Sequence, residues 1–490
     1  MSIPEIPSMY ETPTSSQLKD DLLEVSEISL LNSSTDTLNN STSSSSSTFI
    51  NSDTLKFISN LRDEFQITNP LNKIHQDFLQ SYEKAYKDSQ ISMIPIFNIP
   101  KTFNHKTTDI NGKSLVIDIG GSTIRIGVID LDTPESPIQI QKQWILNEDE
   151  KLIDLKFFEN LVLKAIDIIN EYDDDHNNDD EWKIGITWSF PLNKKNQIIT
   201  MGKGFHISKE IENASIDELI TSIFRNKFQI NAKIYSIIND SIAVNLSGLI
   251  NHDFNSQISF ILGTGLNSCI NKNYDLINTE LGFFGKLPIE NITKYDEQLD
   301  SRWKNFSNIP YIHNETNNEN GVFMPLEFLS SGRYVSEILR LIILDLLQNN
   351  HITDSIPLQS IINEPFGLHG KFICSFDSSL SYQEIQSNLL TNFNINFKDE
   401  EIMIFQSIID ILLERTAIYV SQSILSLSKF VHQQDQSIIN VNYIGSFLYH
   451  CKELQSKISK YSHNTIHLNH IEHSSLIGAA VSVCINTHIA

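Results

Sequence analysis

The chain has 490 residues, of which 60 are acidic and 36 basic, and its formal net charge at pH 7 is -24. A chain of this length usually divides its core between two domains, and a cleft between domains suits a small ligand. The acidic balance argues against partners such as nucleic acid or an anionic membrane, because both need a basic field. Four scattered cysteines, without a secretory signal or a membrane-spanning apolar run, predict a cytoplasmic protein in a reducing compartment.

The N-terminal third begins with a segment of low apolar content. Residues 1–52 are rich in Ser, Thr and Asn and are predicted to be a disordered tail. Helical periodicity follows in "TLKFISNLRDEF" and "IHQDFLQSYEKAYKD". The stretch "LVIDIGGSTIRIGVID" predicts strand, turn and strand, and "DLKFFENLVLKAIDIINEY" predicts an amphipathic helix. The acidic run from Asp173 to Glu181 lacks the spacing of a calcium loop, so a solvated loop is expected.

The rest of the chain continues to alternate strands with helices. "WKIGITWSFPL" and "AKIYSIIND" are predicted strands, and Ser215 with Glu218 forms a capping-box pattern that marks a helix start. A helix is expected immediately after Asp240, and "ISFILGTGLNSCI" predicts two strands joined by a glycine turn. The C-terminal half is predicted to be mainly helical, with its longest helix in "MIFQSIIDILLERTAIYVSQSILSL" and a strand in "IINVNYIGSF". This alternation indicates an α/β fold.

Two glycine turns could bind phosphate. Gly120-Gly121 between apolar runs is typical of a tight hairpin turn, and its glycines would also let backbone N–H groups approach an anion closely. Gly263-Thr264-Gly265 forms a second such turn, and the two could face each other across a cleft. Either turn alone is a weak signal, and the hairpin and phosphate interpretations are compatible.

Asp240 follows a predicted strand and precedes a predicted helix. One interpretation is a helix N-cap, where Asp is favoured. The other is a reactive carboxylate, because the carboxyl edge of an α/β sheet is where such proteins place reactive groups. A carboxylate there could accept a hydroxyl proton as the oxygen attacks phosphorus.

Six motifs occur in the order and approximate spacing of the sugar-kinase family that includes hexokinases: "VIDIGGSTIRIGVID", "WSFPL", "GKGF", "IINDSIAV", "FILGTGLNS" and "NTELGFFG". The resemblance runs from about residue 55 to the C-terminus. It implies an α/β, two-domain actin-like, ribonuclease-H-like ATPase fold whose cleft closes over a sugar. The implied small domain comprises 95–238 with 464–490, and the large domain comprises 53–94 with 239–463.

The resemblance also implies which residues bind the sugar. Asp240 resembles the catalytic base for the 6-hydroxyl. The other matched positions resemble sugar ligands: Ser189, Lys203, Asn239, Asn267, Glu280 and Glu327. Side chains that donate or accept at adjacent oxygens suit a polyol.

On the nucleotide side the resemblance implies ATP and Mg²⁺ as cofactors. Asp118 resembles the aspartate that holds magnesium through water. Three turns resemble the nucleotide-binding segments of the family: Gly120, Gly121, Ser122, Thr123 and Arg125 in the first, Gly263, Thr264 and Gly265 in the second, and Gly445 with Ser446 on the adenosine side. "SSLIGAAV" resembles the helix that closes the small domain.

Departures from the usual hexokinase pattern bear on the sugar. Hexokinases usually have Thr-Asn, Thr and Trp where this chain has Ser122-Thr123, Gly202 and Leu281. Fungal N-acetylglucosamine kinases are instead resembled by three segments of this chain: "GGSTIRI", "GITWSFPL" and "SSLIGAA". Smaller residues at Gly202 and Leu281 could leave room for an acetamido group. The resemblance thus implies phosphorylation of N-acetylglucosamine at its 6-hydroxyl, in amino-sugar catabolism. Alternatives are a hexokinase or glucokinase acting on glucose and, in a different class, a non-catalytic sugar sensor.

Overall fold

The computed structural model of the protein describes residues 50–89, 91–96, 110–172, 181–190, 192–199, 201, 205–250, 256–273, 275–285, 289, 291–308 and 323–487. Most of the predicted N-terminal tail, residues 173–180 of the acidic run and residues 202–204 lie outside the described residues. The chain from Ile50 onward forms one compact unit. The predicted domain boundaries stay a prediction.

Helices dominate the C-terminal half, as predicted. The α-helices are α1 Ser52–Phe65, α2 Leu71–Asp88, α3 Leu155–Tyr172, α4 Ile216–Ser222, α5 Asp240–Ser247, α6 Lys294–Leu299, α7 Pro325–Ser330, α8 Gly332–Gln348, α9 Ile356–Ile362, α10 Gly370–Cys374, α11 Tyr382–Phe393, α12 Asp399–His432, α13 Ser446–His450, α14 Lys452–Tyr461 and α15 Ser474–Thr487. A π-helical turn, Ile223–Lys227, continues α4, and 3₁₀ turns span Glu148–Glu150, Leu281–Phe283 and Ser301–Asn308. No helix in the described ranges combines the length and apolar character that a bilayer crossing requires.

The strands form two main sheets. They are β1 Ile94–Pro95, β2 Lys113–Ile119, β3 Thr123–Asp130, β4 Ile138–Ile145, β5 Leu152–Ile153, β6 Trp182–Trp188, β7 His206–Ile207, β8 Ala232–Ile238, β9 Ile258–Leu262, β10 Leu266–Lys272, β11 Asp275–Asn278, β12 Ile439–Ile444 and β13 Ile466–His470. One sheet has five strands in the order β4-β3-β2-β6-β8, and the other has six in the order β1-β11-β10-β9-β12-β13. Strands β5 and β7 form a separate parallel pair.

Three chain segments meet at the edge of the five-stranded sheet that is formed by the carboxyl ends of its parallel strands. The predicted hairpin is present, since β2 and β3 pair antiparallel with Asp118 opposite Arg125. Strand β2 is parallel to β6, and β6 is parallel to β8. Because parallel strands end at the same edge, the residues after them, at Gly120, Ser189 and Asn239, lie along that edge.

The six-stranded sheet likewise places two later turns at one of its edges. Strands β9 and β12 pair in parallel, so the turns that follow them, at Gly263 and Gly445, lie at one edge. Strand β10 returns antiparallel to β9, and β11 pairs antiparallel with β10. The Gly263 turn is therefore the tip of a hairpin, as predicted.

Helices α5 and α15 pack in a hydrophobic cluster that includes residues of both sheets, among them Val116 of β2 and Leu276 of β11. A Cβ added at Gly478 of α15 would lie 1.9 Å from the carbonyl oxygen of Ala243 in α5. A Cβ at Gly185 of β6 would lie 2.8 Å from the carbonyl oxygen of Ala479. These glycines let α15 approach both α5 and β6 at backbone distance.

Helix α12 is the longest helix in the described part and anchors the elements near the six-stranded sheet. Arg415 donates to both carboxylate oxygens of Asp296, at 2.8 and 3.0 Å, and both residues are buried. Thr416 donates to the carbonyl oxygen of Leu329 in α7 at 3.2 Å. The predicted helix in this region is correct, but it begins earlier, at Asp399.

The predicted capping box at Ser215 is wrong in its bonding, although α4 does begin there. The Ser215 hydroxyl donates to the Asp217 carboxylate at 2.5 Å and to the Lys195 carbonyl at 2.9 Å. It makes no capping bond to a backbone N–H of α4, because it bonds to the Asp217 side chain and to the Lys195 carbonyl of the neighbouring loop instead.

Candidate active site

The junction between β8 and α5 holds the predicted base. Asn239 is the N-cap of α5, and its side chain accepts from the Ser241 N–H at 2.9 Å. The N-cap interpretation of Asp240 is therefore wrong by one position, since both residue types cap well. Asp240 begins the helix and is 8% exposed, and its carboxylate accepts from the Ser189 hydroxyl at 2.5 Å.

An amide and carboxylate network continues from this junction to the six-stranded sheet. The Asn267 side-chain amide donates to the side-chain oxygens of Asn239 and Asn278, both at 3.1 Å. Asn278 in turn donates to the Glu280 carboxylate at 2.7 Å and accepts from the Glu280 backbone N–H at 3.2 Å. Sequence reasoning missed Asn278, although it begins the "NTELG" motif that holds Glu280.

Glu280 adopts an uncommon backbone conformation. Its φ of 47° and ψ of 54° lie in the left-handed region, which residues other than glycine, asparagine and aspartate rarely occupy. Such conformations cost about 1–3 kcal/mol and concentrate at functional sites, where the surroundings hold them. Leu281, which follows, is fully buried in the larger core, and its N–H donates to the Asn267 side-chain oxygen at 3.3 Å.

Glu327 in α7 joins the same cluster. It is 1% exposed, and its carboxylate accepts from the Leu266 N–H at 2.8 Å. A Cβ added at Gly282 would lie 3.1 Å from the Glu327 Cβ, so α7 packs directly on the turn after Glu280. The structure thus brings together most of the predicted sugar ligands: Ser189, Asn239, Asn267, Glu280 and Glu327, with the predicted base Asp240. Lys203 and Gly202 lie outside the described residues.

Asp118 lies beneath the first glycine turn and is almost completely buried. Its carboxylate accepts from the Thr187 hydroxyl, from Arg125 Nε at 2.8 Å and from the Ser475 hydroxyl at 3.1 Å. Arg125 also donates to the Ser475 hydroxyl at 2.7 Å. Arg125 therefore holds Asp118, a partnership that the sequence did not predict, and neither Thr187 nor Ser475 was singled out.

The three predicted nucleotide turns converge. In the first turn, Gly120 N–H donates to the Thr123 carbonyl at 2.9 Å, and the Ser122 hydroxyl lies 3.4 Å from the Thr264 hydroxyl of the second turn. In the second turn, Gly263 N–H donates to the Gly265 carbonyl at 3.0 Å. The prediction that the two turns face each other is confirmed by the hydroxyl contact.

The third turn packs on the second. A Cβ at Gly263 would lie 3.3 Å from the Gly445 Cα, and Gly445 itself has a φ of 118°. A Cβ at Gly445 would lie 2.4 Å from the Leu262 carbonyl, so glycine is required there for both conformation and space. Gly332, at the start of α8, donates its N–H to the Gly263 carbonyl at 2.8 Å.

The candidate site has two adjacent parts. One part offers carboxylates and amides suited to a polyol, and the other offers glycine turns with hydroxyls suited to a polyphosphate. Within the described residues no group of three or more His, Cys, Asp or Glu side chains is arranged to hold a metal.

Comparison with known proteins agrees with this geometry. Two family models described as hexokinase match residues 58–249 and 257–485. The chain is 29% identical to N-acetylglucosamine kinase 1 of Candida albicans over 440 residues, covering 81% of this chain and 86% of the relative. It is 23% identical to glucokinase-1 of Kluyveromyces lactis over 493 residues, covering 87% and 97%.

Solved structures agree on the fold. A Schistosoma mansoni hexokinase complexed with glucose superposes with a TM-score of 0.68 at 18% identity, covering 88% of this chain and 99% of that one. A second hexokinase crystal structure gives a TM-score of 0.64 at 16% identity, with coverage of 89% and 100%. The fold is the two-domain actin-like architecture of these enzymes. With matched models over most of its length, the chain belongs to the hexokinase family of sugar kinases.

Proposed function

We propose that the chain transfers the γ-phosphoryl group of ATP to the 6-hydroxyl of N-acetylglucosamine. The product is N-acetylglucosamine 6-phosphate, the activated form from which amino-sugar catabolism proceeds. The observation that carries the proposal is the buried Asp240 carboxylate, bonded to Ser189 at 2.5 Å. It lies at a sheet edge beside a polar cluster and two facing glycine turns.

The polar cluster would bind the sugar. Asn239, Asn267, Glu280 and Glu327 would offer amide groups and carboxylate oxygens to the hydroxyls of the sugar. Their mutual hydrogen bonds, such as the 3.1 Å bond between Asn267 and Asn239, hold them in place before the sugar arrives. Such preorganised side chains lose little entropy on binding.

The residues around Asp118 fit magnesium with ATP. Mg²⁺ usually keeps several waters and is held by one or two carboxylates together with the substrate phosphates. The Asp118 oxygens are occupied by Thr187, Arg125 and Ser475, so a contact through water fits better than direct coordination. Magnesium, when bound, supplies positive charge against the transferring phosphoryl group.

Asp240 would act as general base. It accepts the proton of the 6-hydroxyl as that oxygen attacks the γ-phosphorus in line. Ser189 orients the carboxylate through its hydroxyl. The Gly120 and Gly263 N–H groups close their own turns, so other backbone N–H groups of these turns, such as those of Gly121 and Thr264, would donate to the phosphate oxygens as charge develops there.

The choice of N-acetylglucosamine over glucose rests on sequence features. The hydroxyl-bearing and indole side chains usual in hexokinases are replaced at Gly202 and Leu281. The segments "GGSTIRI" and "SSLIGAA" also resemble those of fungal N-acetylglucosamine kinases, and the Candida albicans relative carries that name.

Steady-state kinetics with purified full-length protein tests the proposal. ATP-dependent phosphorylation is measured with N-acetylglucosamine and with glucose, and kcat/KM is expected to be higher for N-acetylglucosamine. Replacing Asp240 by Asn keeps its size but removes the base, so kcat should fall by about 10³-fold. Sugar affinity, measured by calorimetry, should change little.

Asp132→Asn is the matched control, because Asp132 is an exposed carboxylate at the far end of the hairpin. It should leave kcat unchanged. A higher kcat/KM for glucose would instead support a hexokinase or glucokinase. Wild-type protein that binds sugar but is as inert as Asp240→Asn would support the sugar sensor.

A further inference from the structure

Two cysteines far apart in sequence lie side by side. Cys374 ends α10, and Cys451 lies between α13 and α14. Both line one small cleft, whose lining also includes Ile409 and Leu413 of α12. All four cysteines of the chain are free thiols.

The two thiols differ in their surroundings. Cys374 is half-buried, so a small oxidant can reach it, whereas Cys451 is 3% exposed. The neighbouring Cys374 side chain and burial together raise the pKa of the Cys451 thiol well above its usual range. Because Cys374 is the more exposed of the two, a dissolved oxidant would reach Cys374 first and Cys451 would react second.

The two cysteines are connected to the third nucleotide turn, at Gly445, through the short helices α10 and α13. Helix α13 begins at Ser446, directly after Gly445, and the Cys451 N–H donates to the Phe447 carbonyl at 3.0 Å. Helix α10 begins at Gly370, where an added Cβ would lie 3.1 Å from the Phe447 ring. Cys374 thus lies at the C-terminal end of α10, and Cys451 directly follows the C-terminal end of α13. The N-terminal ends of these two short helices pack together beside the Gly445 turn.

We infer that Cys374 and Cys451 form a redox-sensitive dithiol, which a hydroperoxide converts into an intramolecular disulfide that weakens nucleotide binding. The part concerning nucleotide rests on the proposed function, and the part concerning the disulfide does not. A bond of about 2.05 Å between the sulfurs would fix the end of α10 to the α13–α14 junction. Because both short helices pack at Phe447 beside the Gly445 turn, this covalent link would alter the position of the turn.

The chemistry balances with hydrogen peroxide as oxidant. The Cys374 thiolate attacks one peroxide oxygen, an S–O bond forms, the O–O bond breaks, and hydroxide leaves as water after taking a proton. The Cys451 sulfur then attacks the Cys374 sulfur, an S–S bond forms, the S–O bond breaks, and the oxygen leaves as water with the Cys451 proton. Two thiols lose two electrons and one peroxide becomes two waters.

The remaining two cysteines serve as internal controls. Cys269 is fully buried, and burial raises its pKa to about 12. Cys484 is also buried, and its sulfur accepts from the Asn111 N–H at 3.4 Å. Neither is expected to oxidise under mild treatment.

The test treats full-length protein with hydrogen peroxide and counts free thiols after unfolding without reductant. The count is expected to fall from four to two, and mass spectrometry should find the peptides of Cys374 and Cys451 joined. Dithiothreitol should restore all four thiols. In the same samples KM for ATP should rise by about tenfold on oxidation and return on reduction, since small displacements of positioned groups carry large costs.

Single variants give the controls. Cys374→Ser, at the more exposed position, and Cys451→Ala should each abolish the link, whereas Cys484→Ser should retain it. A disulfide between molecules, a link that involves Cys269, or four thiols retained after treatment would overturn the inference. A disulfide that leaves KM for ATP unchanged would overturn its regulatory part alone. Protein inactive even when reduced would count against the proposed function, because the thiol count needs no activity.

Discussion

Asn278 connects two side chains that are predicted to hold the sugar. Its oxygen accepts from Asn267 and from the Glu280 backbone, and its amide donates to the Glu280 carboxylate. Asn278 and Glu280 are each 6% exposed, so water cannot replace these bonds easily. Asn278 therefore sets the orientation of both neighbours.

Replacing Asn278 by Asp should damage sugar binding more than nucleotide binding. The substitution keeps the shape but turns the amide donor, 2.7 Å from the Glu280 carboxylate, into an anionic oxygen. A buried carboxylate facing another is costly, so KM for the sugar should rise by about 10–100-fold. Steady-state kinetics with each substrate varied in turn measures the difference.

Asn271→Asp is the control for this experiment. Asn271 is half-buried further along β10 and adds the same charge away from the cluster. Equal losses in the two variants, or a loss for Asn278→Asp confined to KM for ATP, would contradict the positioning role.

Single residues show where sequence reasoning reached its limit. Asp240 could be singled out because strand, helix and motif coincide there, but Asn239 and Asp240 cap equally well, so the cap could not be assigned. Ser475 bonds to Asp118 although 357 positions separate them. No local pattern encodes such a contact, because it depends on how the chain returns to the first sheet.

Two helices at the nucleotide end begin at or beside glycine turns. Helices α8 and α13 begin beside the Gly263 turn, through Gly332 and Gly445 respectively. Strand β12 was predicted, but the predicted segment ran to Phe447, whereas β12 ends at Ile444 and helix α13 begins at Ser446. Boundaries were hard to predict elsewhere too, because a cap competes with other partners, as at Ser215, where the hydroxyl bonds to the preceding loop.

Replacing Gly445 by Ala should weaken ATP binding and the fold together. Its φ of 118° is strained for any side chain, and the new Cβ would lie 2.4 Å from the Leu262 carbonyl. The free energy of unfolding should fall by roughly 1–3 kcal/mol, and KM for ATP should rise because the turn must shift. Urea unfolding and kinetics with ATP varied measure the two effects.

Gly112→Ala is the control that separates backbone strain from steric overlap. Gly112 also has a positive φ, of 97°, but nothing lies within 4 Å of its added Cβ. This control should lose stability through strain alone and keep KM for ATP. If Gly445→Ala behaves like Gly112→Ala, the turn does not contact the nucleotide.

At the scale of the molecule, the site combines residues of both sheets. Ser189 and Asp240 follow strands of the five-stranded sheet, whereas Asn267 and Glu280 belong to or follow strands of the six-stranded sheet. The fold class and the two turns could be predicted from motifs in chain order. The packing of α15 on α5 at Gly478 could not, because glycine within an apolar helix does not name the partner it approaches.

A sugar that contacts both sheets should stabilise the whole fold, which gives a test independent of turnover. A ligand that binds only the native state at 100 times its Kd adds about 2.7 kcal/mol, equivalent to about 3 °C in unfolding temperature for a chain of this size. N-acetylglucosamine should give this shift, and glucose at the same concentration should give a smaller one. Calorimetric unfolding of Asp240→Asn should show the same shift, since the base is not needed for binding, whereas Asn278→Asp should lose most of it. A larger shift with glucose would reverse the substrate assignment, and no shift with either sugar would mean that the cluster around Asn267 and Glu280 does not bind these sugars.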